Sequence, residues 1–211
     1  MKPNYTTTLG EKSHSTNHPS VVIAGPSGAG KDSVIRQLVQ LHPERFQFVV
    51  TVTTRPPRRG ERDGEDYRFM KRAEFEQRIA RNQFFEWAEV YGRLYGSLHS
   101  TITNIRAAGK LPLMRVDVQG AERIQKLDPN ALLISIVPPS LNTLRQWLEG
   151  RGDTAPEEMD SRMNMAAAEI ARLKKLKGCH TVLNRPNRLD LTVNEVLKVA
   201  AHALRTPHDA L

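Results

Sequence analysis

The sequence of 211 residues has little cysteine, few aromatic residues and no long apolar run. Its single cysteine, Cys179, excludes an internal disulfide, and no cluster of cysteine and histidine has the spacing of a zinc site. No apolar stretch reaches the roughly 20 residues of a membrane-spanning helix. The first residues lack the apolar core of a secretory signal, so we expect a cytoplasmic protein with no membrane partner.

Charge and composition predict a folded, basic protein. Lysine and arginine outnumber aspartate and glutamate by 31 to 23, which permits loose nucleic-acid binding but also suits an enzyme that handles polyphosphates. Apolar residues make up 39% of the chain, enough for one compact domain. Residues 1–19 are polar and without periodicity, which predicts a disordered tail, and residues 206–211 predict a frayed end.

Strand and helix patterns alternate along the rest of the chain. Strands are predicted at 21–24, 46–52, 111–118, 132–137 and 181–184. Helices are predicted at 33–40, 73–80, 100–108, 121–126, 141–149, 156–177 and 190–204. This alternation is typical of an α/β fold with a parallel sheet flanked by helices. Residues 53–98 interrupt it and predict an insertion with its own small structure.

A glycine-rich loop between a strand and a helix is the strongest local signal. Its sequence, GPSGAGK at 25–31, follows the apolar run 21–24. In this context the backbone N–H groups of the loop surround phosphates, and the lysine reaches the terminal ones. The loop therefore predicts a nucleoside triphosphate site. Asp32 follows the lysine, at the position where a serine or threonine hydroxyl ordinarily binds Mg²⁺.

Five further segments carry a resemblance to a known family. They are TTRPPR at 53–58, DGEDYRF at 63–69, FFEWA at 84–88, YGS at 95–97 and DVQG at 117–120. With the phosphate loop, they closely resemble the guanylate kinases, a family of P-loop nucleoside monophosphate kinases, in order and spacing. The resemblance implies one domain at 20–205 with a P-loop parallel sheet, an inserted GMP-binding subdomain and a helical lid. The implied parts are a core at 20–50, 99–144 and 166–205, the insertion at 51–98 and the lid at 145–165.

The same resemblance implies how GMP is held by its phosphate. The implied phosphate ligands are Arg55, Arg58, Tyr67, Tyr95 and Ser97. Arginine suits this role because its guanidinium group pairs with phosphate oxygens in a planar, two-pronged way and stays charged.

For the guanine base, the resemblance implies Glu86, assisted by Asp117 and the hydroxyl of Thr51. Guanine presents its N1–H and N2 amine as adjacent donors, and one carboxylate can accept both. Adenine has neither donor, so a buried Glu86 facing it would be left unpaired. This predicts that AMP is rejected.

The resemblance also implies a donor site for ATP with Mg²⁺ as cofactor. Phosphoryl transfer depends on alignment and charge stabilisation more than on covalent chemistry by the protein. The implied catalytic residues are Lys31, Arg55, Arg151 and Arg162. The implied ATP-binding residues are Gly25, Pro26, Ser27, Gly28, Ala29, Gly30, Lys31, Asp32, Ser33 and Asn184.

Three residues depart from the family pattern, all on the donor and metal side. Asp32 replaces the serine or threonine, Arg115 stands where the family usually has an acid, and Trp147 stands where the lid usually has an arginine. The paired exchange of charge leads to a hypothesis. Asp32 ligates or water-bridges Mg²⁺, since a carboxylate is a good ligand for it, while Arg115 offsets that charge or touches phosphate. Trp147 either stacks on the donor base or packs in the lid.

Three functions are compatible with these motifs. An active guanylate kinase, converting ATP and GMP to ADP and GDP, is favoured because the acceptor side is complete. A ribose 1,5-bisphosphate phosphokinase shares the G-K-D sequence but has no need of Glu86. A non-enzymatic GMP-binding interaction module typically has a degraded loop, whereas Lys31 is present here. We expect no specific nucleic-acid partner, and the sequence leaves monomer and homodimer open. The insertion and lid are expected to close over the substrates and exclude water.

Overall fold

The computed structural model describes residues 19–90, 92–152 and 156–203. The predicted frayed end at 206–211 and, apart from Pro19, the predicted tail at 1–19 lie outside the described residues. So do residues 153–155 of the predicted lid. Within the described ranges no helix is long and apolar enough to cross a membrane.

Nine strands and seven helices follow one another in these ranges. The strands are β1 (Val21–Ala24), β2 (Phe46–Phe48), β3 (Val52–Thr53), β4 (Arg68–Phe69), β5 (Phe84–Val90), β6 (Arg93–Leu98), β7 (Leu111–Arg115), β8 (Leu132–Val137) and β9 (His180–Leu183). The helices are α1 (Lys31–Leu41), α2 (Arg72–Ala80), α3 (His99–Ala107), α4 (Val118–Leu127), α5 (Leu141–Arg151), α6 (Pro156–Lys175) and α7 (Leu189–Ala203).

The core is a five-stranded parallel sheet with helices on both faces. Its strand order is β2–β7–β1–β8–β9, so β1 lies in the middle. On one face, Leu38 of α1 and Val196 of α7 pack with the alternate strand residues. On the other, Ile105 of α3, Ile124 of α4 and Leu173 of α6 form a second apolar cluster. The predicted α/β class with a parallel sheet flanked by helices is confirmed.

A second sheet is inserted between β2 and α3. It has the order β4–β3–β6–β5, with antiparallel pairing of β6 to both β3 and β5 and parallel pairing of β3 to β4. Helix α2 covers it through Phe75, whose ring stacks on that of Phe84 with centroids 4.2 Å apart. This stacking anchors a small apolar cluster separate from the main core.

Two predicted strands were too long. The apolar run 46–52 is not one strand, because Val49 N–H still bonds to Leu113 in the core sheet, whereas the carbonyl of Thr51 accepts from Arg68 in the second sheet. The chain changes sheets between these two residues. Likewise 111–118 is a strand only to Arg115, because the carboxylate of Asp117 accepts the Gly120 N–H and begins α4.

The close approach of β5 and β6 generates a stability prediction. A Cβ added at Gly96 would lie 2.7 Å from the Phe84 ring and 2.9 Å from the backbone oxygen of Glu86. Because that carbonyl cannot move without its strand, Gly96→Ala should destabilise the fold by about 1–3 kcal/mol in urea unfolding.

The matched control is Gly150→Ala in α5, where an added Cβ meets nothing within 4 Å. Alanine in an open helical position should raise stability by roughly 0.5–1 kcal/mol, because glycine is a poor helix former. Equal stability of Gly96→Ala and the wild type would show that the two strands can separate without cost.

Candidate active site

A cleft of about 550 Å³ lies where the carboxyl ends of the core strands, the second sheet and helices α5 and α6 meet. It brings together residues from every segment singled out in the sequence. The predicted site residues that line it are Gly25, Ser27, Gly28, Lys31, Asp32, Thr51, Arg55, Arg58, Tyr67, Glu86, Tyr95, Asp117, Arg151 and Arg162. Ser97 is fully buried, and its hydroxyl donates a hydrogen bond to the carboxylate of Glu86.

The phosphate loop leaves the buried centre of the core sheet. Gly25 has φ of 146°, and a Cβ there would lie 2.2 Å from the carbonyl oxygen of Ile136 in β8, so only glycine fits. The loop ends at Gly30, directly before α1. Helix α1 starts at Lys31, two residues earlier than the sequence pattern indicated. The N-terminal N–H groups of α1 therefore point into the loop, as an anion site requires.

Lys31 folds over its own loop. Its Nζ donates hydrogen bonds to the carbonyl oxygens of Gly25 at 2.6 Å and Pro26 at 2.9 Å. Burial lowers the pKa of Lys31, while the charges of Asp32 and Glu169 oppose the shift. A phosphate group could exchange with the two carbonyls as partner of this ammonium group.

A second cleft of about 840 Å³ lies beside the end of the loop and the first turn of α1. Gly30, Ser33 and Asn184 line it, together with Trp147. Asn184 also braces the loop, since its side-chain amide donates to the carbonyl of Ala29 at 2.9 Å. A Cβ at Gly30 would lie 2.2 Å from that amide nitrogen. Of the predicted ATP-binding residues, Pro26 and Ala29 line neither cleft, and Ala29 is fully buried.

Trp147 has two environments at once. It packs against the apolar cluster of Leu144, Leu148, Met159 and Met163 between α5 and α6, and it also lines the second cleft. Trp147 therefore packs between α5 and α6, and its side chain is also within reach of a ligand in the second cleft.

The acceptor end of the first cleft is an acidic pocket in the second sheet. Glu86 in β5 is 5% exposed, and its carboxylate accepts a hydrogen bond from the Ser97 hydroxyl at 2.8 Å. Burial raises the pKa of Glu86 to about 7 against the lowering effect of the Ser97 hydrogen bond, with the charge of Asp117 adding to the rise. The buried Thr51 hydroxyl lines the same cleft and has no hydrogen-bond partner among the described residues. A buried hydroxyl without a partner is uncommon in folded proteins and has hydrogen-bonding capacity left for a ligand.

Asp117 has a structural task as well as a place in the cleft. Its Oδ1 accepts the Gly120 N–H at 2.9 Å, which caps α4. Burial raises its pKa, while the Gly120 hydrogen bond and the charge of Lys31 oppose the rise. Gly120 leaves room for the Glu86 carboxylate, whose Oε2 would lie 3.2 Å from a Cβ there.

The basic part of the cleft is held by an acid that the sequence analysis missed. Glu61 accepts two hydrogen bonds from Arg55 Nη2, at 2.7 and 2.8 Å, and one from the Arg58 backbone N–H at 2.7 Å. The guanidinium of Arg55 also lies 5.1 Å from the centroid of the Tyr67 ring, and this ring is 6.1 Å from that of Tyr95. Glu61 thus holds the side chain of Arg55 and the backbone of Arg58 at the mouth of the pocket.

Two further departures from the expected pattern lie in direct contact. Arg115, at the end of β7, forms an ion pair with Asp32 at the start of α1. Burial alone would raise the pKa of Asp32. The nearby positive charges of Arg115 and Lys31 outweigh burial, lower this pKa and keep the carboxylate ionised. The predicted charge offset between the exchanged residues is therefore present.

Helices α5 and α6 contribute charges of both signs. Arg151 ends α5, and Arg162 in α6 lies 3.5 Å from Glu158. Glu158, Ser161 and Glu169 line the cleft as well, and the sequence motifs gave no indication of them because they carry no local signature. Burial raises the pKa of Glu169, and Lys31 opposes that rise.

The site combines a phosphate loop at the centre of a parallel sheet with an acidic pocket in an inserted sheet and with arginines on α5 and α6. This combination defines the class of P-loop kinases. A family model for guanylate kinase matches residues 17–203. The guanylate kinase of Gloeobacter violaceus is 41% identical over 164 residues, 78% of each chain, and that of Idiomarina loihiensis is 42% identical over 151 residues, 71% of this chain and 72% of the relative. The chain belongs to the guanylate kinase family.

A solved structure supports the same assignment. The crystal structure of guanylate kinase from Anaplasma phagocytophilum matches with a TM-score of 0.70 at 26% sequence identity. The match covers 92% of this chain and 91% of that one.

The raised pKa of Glu86 predicts how stability depends on pH. Between pH 4.5 and about 7 the folded chain retains a proton on Glu86 that the unfolded chain has lost. Because the unfolded state binds fewer protons there, this residue makes stability fall as pH rises through that window. Glu86→Gln should remove this pH dependence. Relative to that of the wild type, its free energy of unfolding should rise across the window by up to about 3 kcal/mol.

Urea unfolding at several pH values measures this difference. Glu89→Gln, a half-exposed acid on the same strand, is the control and should follow the wild type. Parallel pH curves for the wild type and Glu86→Gln would contradict a protonated, buried Glu86.

Proposed function

We propose that the chain transfers the γ-phosphoryl group of ATP to GMP, giving ADP and GDP. The observation that carries this proposal is the buried, Ser97-bonded carboxylate of Glu86 in the same cleft as Lys31 of the phosphate loop. An acid at one end and a phosphate-binding loop at the other match a purine nucleotide with donors on its base.

Guanine binds at the acidic pocket of the second sheet. Its N1–H and N2 amine donate to the carboxylate of Glu86, and the unpartnered Thr51 hydroxyl and Asp117 provide further polar contacts. Ionisation of Glu86 is favoured by these two donors, so GMP binding lowers its pKa from the raised value. A nucleotide without such donors leaves a buried acid unsatisfied.

The GMP phosphate binds at the basic mouth of this pocket, between Arg55, Arg58 and the two tyrosine rings of Tyr67 and Tyr95. Because both carboxylate oxygens of Glu61 accept from Nη2 of Arg55, an incoming phosphate either shares this arginine or displaces Glu61. Ser97 orients Glu86 through the hydrogen bond from its hydroxyl to the carboxylate.

ATP binds with its phosphates on the loop at 25–31 and its base toward the second cleft, beside Asn184 and Trp147. A GMP phosphate oxygen attacks the γ-phosphorus in line, and the bond from that phosphorus to the β–γ bridging oxygen breaks as ADP leaves. Lys31, Arg55, Arg151 and Arg162 neutralise the charge that spreads over the transferred group.

Mg²⁺ is proposed as the cofactor, and the residues present suit it. Mg²⁺ uses one or two carboxylates together with phosphate oxygens and water, so it needs no cage of protein ligands. Across the described ranges no group of three acidic, histidine or cysteine side chains could hold a metal alone. Asp32 offers a carboxylate beside the loop, 60% exposed, whose bond to Arg115 uses only Oδ1. When bound, Mg²⁺ would supply charge neutralisation on the donor phosphates.

We also propose a cellular compartment and an oligomeric state for the chain. ATP and GMP are small soluble substrates, which fits an enzyme of the cytoplasm, and the chain would act there as a monomer or a homodimer.

The acceptor assignment is tested by measuring ADP formation from Mg²⁺ and ATP with GMP, AMP, CMP, UMP or ribose 1,5-bisphosphate. We expect turnover with GMP alone. Glu86→Gln should lower kcat/KM for GMP by about 10²-fold or more, because its amide can accept only one of the two guanine donors. Glu89→Gln, on the same strand, should retain full activity. Turnover of the sugar phosphate instead of GMP would overturn the proposal, and GMP binding without turnover would indicate an interaction module.

The metal requirement is tested separately. Chelation with EDTA should abolish GMP phosphorylation, and added Mg²⁺ should restore it fully. Calorimetric binding of GMP alone should survive EDTA, because the acceptor residues are carboxylates, hydroxyls and arginines that need no metal. Undiminished turnover in EDTA would exclude Mg²⁺ as the cofactor.

A further inference from the structure

Arg115 is a buried cation to which the proposed phosphoryl transfer assigns no step. It ends β7 at the carboxyl edge of the core sheet, and 9% of its side-chain surface is exposed. A buried guanidinium group is costly unless it is paired and hydrogen-bonded. Its partners therefore show which parts of the protein it holds together.

Those partners come from three separate segments. One guanidinium nitrogen bonds to Asp32 at the start of α1, and the other donates to the backbone carbonyl of Asp66 at 2.7 Å. The guanidinium carbon lies 3.9 Å from the centroid of the Tyr67 ring and 5.1 Å from that of Phe48 at the end of β2. One side chain thus connects the phosphate loop to the inserted sheet.

Tyr67 belongs to the acceptor half of the cleft. Its ring meets Tyr95 edge to face at 6.1 Å, and the guanidinium of Arg55 lies 5.1 Å from its centroid. These are the groups proposed to hold the GMP phosphate. Because a cation 3.9 Å from an aromatic centroid is attracted to the ring, Arg115 fixes the position of this wall.

Asp32 belongs to the donor half. It follows Lys31 directly, lines both clefts, and its side chain is 60% exposed. Donor phosphates or a cation bound at the loop must change the electric field at Asp32 and with it the pairing to Arg115. Arg36 of α1 faces Asp66 at 3.7 Å, a weaker and more exposed connection between the same two segments.

We propose that Arg115 is a positioning residue that couples the two substrate sites. Through Asp32 it responds to occupancy of the donor loop, and through Asp66 and Tyr67 it sets the acceptor wall. The inference rests on the proposed transfer from ATP to GMP. Linkage requires the coupling to be reciprocal, so GMP changes donor affinity by the same factor as the donor changes GMP affinity.

The test is calorimetric titration of GMP, without donor and with saturating Mg²⁺ and a non-hydrolysable ATP analogue. In the wild type the analogue should change the GMP dissociation constant about five-fold or more. Asp32→Asn should reduce this change to less than about two-fold, because the ion pair loses its negative charge. Arg115→Met keeps an unbranched apolar stem against the rings and should do the same, and the double variant should show no further loss.

The control is another half-buried ion pair, between Arg106 of α3 and Asp128 after α4, 3.1 Å apart and lining neither cleft. Arg106→Met and Asp128→Asn should keep the wild-type coupling factor even where they lower the melting temperature. This separates a positioning role from a general loss of stability. Asp32→Asn is isosteric at a largely exposed side chain, so it decides the question even if Arg115→Met fails to fold.

The outcomes separate the inference from the function on which it rests. A wild type that phosphorylates GMP but shows less than about two-fold coupling overturns the inference, and so does unchanged coupling in Asp32→Asn. In both cases the proposed kinase function stands. A wild type that neither binds nor phosphorylates GMP overturns the proposed function itself.

Discussion

The complete burial of β1 is the constraint on which the active site depends. All four of its residues, Val21–Ala24, have no exposed surface, and β7 and β8 pair with it on either side. The loop that follows must therefore leave from the centre of the sheet, against the backbone of Ile136. Helix α1 then starts at Lys31, and the neighbouring strands end beside the same loop. The carboxyl ends of parallel strands meet at one edge, so Arg115 and Asp117 arrive there without any further requirement.

The acids that line the cleft lie in two kinds of surroundings. Asp32, Glu158 and Glu169 stand among Lys31 and the arginines of the part proposed for phosphates, whereas Glu86 is buried in β5 of the second sheet, close enough to Asp117 for the two charges to interact. Burial raises the pKa of both acids, so a retained proton reduces the cost of holding two carboxylates together. A ligand with adjacent N–H donors offsets that cost by hydrogen bonding to the ionised carboxylate. The selectivity proposed for guanine thus follows from a pocket that is unfavourable to its own charge.

Sequence reasoning predicted the parts that contiguous motifs encode and missed those that the fold assembles. The loop at 25–31 is a continuous segment, so its strand, turn and helix could be predicted with errors of only two residues at α1. The run 46–52 was assigned to one strand because apolar periodicity does not reveal a change of sheet. Glu169 was missed because tertiary packing brings it near its partner Lys31. Glu61 is only six residues from Arg55, but it lies between two of the motifs and belongs to neither.

The contact between Asp32 and Arg115 could be predicted only in part from the chemistry of the two residues. Gain of an acid at Asp32 and of a base at Arg115 indicated a charge offset, and the two side chains form an ion pair. No sequence pattern indicated that the same guanidinium group lies 3.9 Å from the centroid of the Tyr67 ring. A hydroxyl at residue 32 would leave this buried arginine without its carboxylate, at a cost smaller than for a fully buried pair because the Asp32 side chain is 60% exposed. The two departures therefore depend on each other, and their effect extends to the acceptor wall. Trp147 is separate from them, since its packing lies within the lid cluster.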